Sequence, residues 1–155
     1  MNMRAAVVIV EDGKVALIER IRDGHTYFVF PGGGVEAGES TEDAAFREAY
    51  EELGVLVELD TLVSATRHGG REHRHYRARI VGGTFGSGQG VEMTTSGMTV
   101  KGTYRPVWMA VSGLRKHEVR PPALAETLRS GGLTESGKVS HVENEYGEAM
   151  REAEC

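Results

Sequence analysis

Residues 31–55 constrain this chain more than any other stretch. They read Pro-Gly-Gly-Gly-Val-Glu-Ala-Gly-Glu, then Ser-Thr-Glu-Asp-Ala-Ala-Phe-Arg-Glu-Ala-Tyr-Glu-Glu-Leu-Gly-Val. The first part predicts a loop in which Gly32, Gly33, Gly34 and Gly38 let backbone approach another group closely or adopt positive φ. The second part predicts a helix from Ser40 to Leu53. Ser40 is its N-cap, with Asp43 three residues on, and Gly54 stands at the left-handed C-terminal position.

At 100° per residue, Glu48, Glu51 and Glu52 share one narrow edge of that helix. Phe46, Ala49, Tyr50 and Leu53 gather elsewhere and predict the core-facing side. Ala44 and Ala45 lie beside the acidic edge, where small side chains would admit a ligand. Like charges at this spacing oppose helix formation by a few tenths of a kcal/mol per pair, partly offset by Arg47, i, i+4 from Glu51. A solvated acidic face would account for the helix but not for the glycine loop before it. A hard divalent cation accounts for both, because Mg2+ takes carboxylate oxygens together with substrate phosphate, and a loop entering a helix presents backbone groups to phosphate or metal.

Gly33, five residues, Glu39, seven residues, Arg47-Glu48, then Glu51-Glu52-Leu53-Gly54-Val55 resembles the Nudix box at every fixed position. Ala49 departs mildly, since a bulkier aliphatic is more usual there. The resemblance implies an α/β fold, a Nudix-type α/β/α sandwich with a mixed β-sheet. It also implies metal-dependent cleavage of a nucleoside diphosphate linked to another moiety. Mapped position by position, it implies Glu48, Glu51 and Glu52 as ligands to Mg2+ or Mn2+, with backbone of Gly33 or Gly32 as a further contact. Arg47 would orient the carboxylates, and Glu39, paired with Arg47, would support the site together with Gly34 and Gly38. By the same resemblance, Glu48 or Glu92 would serve as general base. Glu92 is the single acidic residue between Glu72 and Glu118 and sits in a long Gly/Ser/Thr-rich segment, 82–102.

The rest of the chain fits one domain over residues 1–130, with 131–155 a polar tail or peripheral helix. Its 155 residues suit one core. A net charge of −5 gives no electrostatic case for a nucleic-acid polymer as partner. The lone Cys155 fits a reducing compartment, and the N-terminal apolar run is too short for a signal peptide or membrane span. A cytoplasmic protein without membrane partners is therefore expected, with homodimer formation left open.

Strands are predicted at 5–10, 15–20, 26–30, 55–66, 76–81 and 103–111, and a helix from Pro121-Pro122 to Arg129. Asp12-Gly13 and Asp23-Gly24 are the turn signals. Trp108 reads as a core anchor. Residues 68–75, with His68, His73, His75, Arg71 and Arg74, read as an exposed polar loop. The alternative is a cationic wall for substrate phosphate, to which Arg67 to Arg79 would contribute.

Substrate is the least constrained point. The proline that ADP-ribose-cleaving relatives place past the box would fall near Gly70, and none occurs between Pro31 and Pro106. A nucleoside triphosphate, ordinary or oxidised, cleaved to monophosphate and pyrophosphate, is the leading expectation. ADP-ribose or nucleotide-sugar hydrolysis, a nucleotide-sensing module without hydrolysis, and a structural cation-binding domain are the alternatives.

Overall fold

The computed structural model describes residues 2–88, 98–99 and 102–132. Glu92, most of the 82–102 segment's second half and the 133–155 tail lie outside the described residues.

Strand β1, Met3–Val8, opens the chain, followed by β2, Val10–Glu11, β3, Lys14–Arg22, β4, His25–Val29, and the short β5, Gly32–Gly34. Helix α1 covers Thr41–Leu53. A long hairpin follows, β6, Val55–His68, and β7, Arg71–Gly83. After β8, Met98–Thr99, and β9, Gly102–Ala110, the chain makes a 3-10 helix, Val111–Lys116, then β10, Val119–Arg120, and helix α2, Pro122–Arg129.

The strands form two mixed sheets rather than one. The first has the order β5-β1-β7-β6, with β1 parallel to β7, and the second has β10-β4-β3-β9-β8, with β10 parallel to β4 and β2 beside β3. They meet where Ala16 N–H donates to Ile9 O at 3.0 Å. Period-two alternation along β1 and β3 builds two cores. Ala5, Val7, Ala16 and Ile18 face α1, while Ala6, Val8, Val15 and Leu17 face the 3-10 helix and α2 through Leu114, Leu124 and Leu128. This is the α/β/α sandwich.

Two-residue turns set the hairpin registers. Asp12-Gly13, Asp23-Gly24 and Gly69-Gly70 each place both residues at positive φ, as a type I′ turn requires. The last pair corrects the expectation of a polar loop at 68–75. Residues 71–75 are strand, paired to β6 through His68↔Arg71 and Thr66↔His73 and to β1 through Arg4↔His73 and Ala6↔His75. Their polarity reflects a cleft beside them rather than a loop.

A second correction concerns α1. Its buried residues are Thr41, Ala44, Ala45, Ala49 and Leu53, whereas Phe46 and Tyr50 are 43% and 47% exposed. The helix lies against β1, β5 and β6, and the small alanines permit that close approach. Ala44 and Ala45 therefore line the core and do not open a path for a ligand. The acidic edge runs along the margin of the buried stripe.

Candidate active site

The loop and helix are locked together by Arg47. Its Nε and Nη2 donate to the two Glu39 carboxylate oxygens at 2.8 and 2.9 Å, and Nη2 also donates to Gly34 O at 3.0 Å. Its Nη1 donates to Glu48 at 3.0 Å and Glu51 at 3.2 Å. A planar guanidinium with five donors can serve so many acceptors at once; a lysine could not. Glu39 is held down to a pKa of about 2, first by the Arg47 hydrogen bonds and then by the Glu36 backbone. The Arg47 guanidinium is pushed further into its charged form by the Glu39 hydrogen bond.

The helix start and end fix where these side chains point. Ser40 Oγ accepts from Asp43 N–H at 3.0 Å, and Gly54, at φ 80°, returns its N–H to Tyr50 O. The β5 backbone then seats the carboxylates. Gly32 N–H donates to Glu52 Oε1 at 2.9 Å. Gly33 leaves the space that the Glu48 carboxylate fills; a methyl group there would overlap it. Gly32 is needed for a different reason, since a side chain would strike Ala5 O and Ala6 on the neighbouring strand. Gly38 turns the loop at φ 80°.

Glu48 is more enclosed than Glu51, with its side chain 13% exposed against 41%. Burial raises its pKa and Glu51 adds to the rise, while Arg47 opposes it. One guanidinium thus lies within 4 Å of Glu36, Glu39, Glu48 and Glu51, so negative charge is left over on this edge. Among the described residues no three His, Cys, Asp or Glu side chains converge as a ready-made ion cage. Glu48 and Glu51 turn to Arg47, and Glu52 takes the Gly32 N–H. In chemical kind the set fits Mg2+ or Mn2+, being hard carboxylate oxygens in charge excess beside open backbone.

A cleft of about 900 Å3 is lined by residues of both sheets, the 3-10 helix and α2, and by none of α1. Arg4 connects the two regions. It lines the cleft, its Nη2 donates to Gly32 O at 3.3 Å, and it feels the fields of Glu52 and Glu48. The hairpin end supplies Arg67, His73, Arg74 and His75; β3 and β4 supply Arg20 and Tyr27; the 3-10 helix, β10 and α2 supply Arg115, Arg120 and Arg129. Arg77 and Arg79, also expected near phosphate, instead pair with Asp60 and Glu58 and are not part of this lining. Arg4, Arg20, Arg115, Arg120 and Arg129 escape sequence reading. They come from separate elements, and β-register alone brings Tyr27, Arg20 and Tyr104 side by side. Trp108 stacks on Phe85 at 4.7 Å against the α1-side core.

The NUDIX domain model matches residues 1–125. The RNA pyrophosphohydrolase of Shewanella sp. (strain ANA-3) is 48% identical over 46 residues, covering 30% of this chain and 26% of that protein. A MutT-like protein from Streptomyces ambofaciens is 38% identical over 64 residues, 41% of this chain and 40% of that protein. The chain thus spans about a quarter to two fifths of the curated relatives it matches. A solved NUDIX hydrolase from Nitrosomonas europaea is 24% identical with a TM-score of 0.64, covering 83% of this chain and 86% of that one, which is a likeness of fold. With the glycine-seated carboxylates, the Arg47 network and a family model matched over residues 1–125, the chain belongs to the NUDIX domain family.

Proposed function

We propose that the chain is a metal-dependent hydrolase that cleaves the pyrophosphate linkage of a small nucleotide, a nucleoside diphosphate linked to another moiety. A nucleoside triphosphate cut to monophosphate and pyrophosphate is the first case. The observation that carries this reading is the Arg47 network. A single guanidinium spans Glu39, Glu48 and Glu51 and clamps the glycine loop to α1, leaving an oxygen-rich edge in negative excess. The family model and the relatives named as a pyrophosphohydrolase and a MutT-like protein support the same reading.

Glu48, Glu51 and Glu52 would hold Mg2+ or Mn2+, with the Gly33 backbone beside them. When bound, the ion neutralises phosphate charge and lowers the pKa of a coordinated water. The chain's own residues do the positioning, which supplies most of the catalysis in phosphoryl transfer. Arg47 orients Glu48 and Glu51 and fixes the loop through Gly34 O and Glu39. Glu48, enclosed and with a raised pKa, is the described carboxylate best suited to accept a proton from attacking water. Glu92 shares that candidacy and lies outside the described residues. Arg4, bridging carboxylate edge and cleft, meets the substrate's phosphates as they pass between them.

The test is a release assay over canonical and oxidised nucleoside triphosphates, ADP-ribose, diadenosine polyphosphates and nucleotide sugars, with Mg2+, with Mn2+ and with EDTA. Turnover of one class, silenced by EDTA, is the expected result. Saturable nucleotide binding without turnover of any member would replace the hydrolase with a sensing module.

A further inference from the structure

The cleft carries more positive charge than one pyrophosphate explains. Seven arginines and two glutamates are among its described lining residues, in a chain whose net charge is −5. Two of the arginines, Arg115 and Arg129, share the single carboxylate of Glu126. Arg120 shares Glu118 with His25. The scissile phosphates would lie toward α1, where Arg4 and a bound cation meet them. The other arginines come from β3, the hairpin end, the 3-10 helix, β10 and α2.

The cleft's aromatic rings are already engaged. Tyr27 has the Arg120 guanidinium 3.8 Å and the Arg20 guanidinium 5.5 Å from its ring centre. Phe30 meets the His75 ring edge-on at 5.5 Å. A neutral base stacking there would have to displace these contacts and would strip water from guanidinium groups without compensating them. Donors and acceptors, in contrast, are unfilled. Arg20 Nε, His73 Nε2 and His75 Nδ1 are buried without a hydrogen-bond partner, and His75 is only 5% exposed. Groups of this kind call for a polar ligand.

We propose that the moiety entering the cleft carries a second phosphate, separate from the pyrophosphate that is cut, and that Arg20, Arg120 and Arg129 receive it. The proposal rests on the hydrolase reading for where the scissile linkage lies. The second phosphate has two chemical sources. It is either a monoester on the ribose of a small nucleotide or the internal diester of a short 5′-triphosphorylated oligonucleotide.

Two matched pairs distinguish these sources with the full chain and Mg2+: ADP-ribose against ADP-ribose 2′-phosphate, and ATP against the dinucleotide pppApA. The expected result is a kcat/KM about tenfold higher for the second member of one pair, expressed in KM, since a charge-assisted hydrogen bond is of that order. Arg120→Ala and Arg129→Ala should each bring the ratio toward one, and Arg120→Lys should restore part of it. Ratios near one in both pairs would overturn the proposal. If no nucleotide is turned over, the hydrolase reading fails by itself. The anion site is then judged by calorimetry with inorganic tripolyphosphate in EDTA. Binding weakened about tenfold in Arg129→Ala and unchanged in Arg79→Ala, an arginine outside the cleft lining, supports it; no binding, or binding indifferent to Arg129, overturns it.

Discussion

The carboxylate edge of α1 and the arginine-lined cleft are neighbours of opposite charge and opposite construction. The edge is made by one contiguous segment, residues 32–52, and its geometry follows from helical spacing and glycine backbone. The cleft is assembled from both sheets, the 3-10 helix and α2, and no spacing rule connects Arg4 with Arg129. Under the proposed function, chemistry that needs fixed relative positions within a few ångströms would sit on the contiguous unit, and recognition, which can be altered one side chain at a time, would be spread over separate elements. Arg4 bridges the two.

The sharpest way to break this contrast is to disturb the edge without disturbing the fold. Gly33→Ala places a methyl group on the Glu48 carboxylate, the far end of a side chain that can move aside. Hydrolysis should fall about 100-fold, as expected for an ångström-scale misplacement of a reacting group, with little change in Tm. Gly32→Ala meets backbone instead, at Ala5 and Ala6, so it should lower stability by about 1–3 kcal/mol in denaturant unfolding. Equal effects from both substitutions would mean that the glycines serve only the fold.

The cleft should register in the acid limb of stability. Burial lowers the pKa of His75 to about 3, and His73 and Arg4 act in the same direction. An unfolded histidine titrates near 6.5, so between about pH 6.5 and 3 the unfolded chain binds more protons. Stability from His75 is therefore fully present above about pH 6.5 and is lost as pH falls, by at most about 1.4 kcal/mol per pH unit. Urea midpoints at pH 7.5, 6.0 and 5.0 should show this decline, and His75→Gln should flatten it. Glu39, lowered from 4.5 to about 2 in the folded chain, adds its own loss as pH falls below about 4.5, so it contributes nothing to the decline measured between pH 7.5 and 5.0. A slope unchanged by His75→Gln would assign it elsewhere.

The smallest expected effect falls on the face of α1 that points to solvent. Phe46→Ser should change stability by less than about 0.5 kcal/mol, because the side chain is 43% exposed. A loss of several kcal/mol would restore Phe46 to a core.

Phe46 also shows what sequence makes legible. The cap at Ser40, the stop at Gly54, the two Asp-Gly turns and the α2 boundaries follow from local chemistry and are visible in the chain. Which face of α1 is buried is a tertiary matter. Apolar bulk favoured Phe46 and Tyr50, but close packing on β1 and β5 admits alanine and pushes the aromatics outward. The 68–75 segment departs from the loop expectation for a related reason. Its histidines and arginines look like loop residues, yet Gly69-Gly70 is itself a hairpin turn and the flanking polar residues face a cleft. The position of Glu39 against Arg47 is readable because their spacing lies within one loop–helix unit; that Arg20, Arg120 and Arg129 line one cleft is not, because they come from β3, β10 and α2 and only strand register and tertiary docking bring those elements to it.

The most direct test of the central reading is kcat for Glu52→Gln. Glutamine keeps the oxygen that accepts the Gly32 N–H, so Tm should match that of the unaltered chain, while the charge that a cation needs is gone. The account predicts a fall in Mg2+-dependent kcat of about 10³-fold or more, the loss expected when several kcal/mol of charge stabilisation are removed. Hydrolysis that persists near the unaltered rate, still silenced by EDTA, would contradict the assignment of this edge as the metal-binding centre.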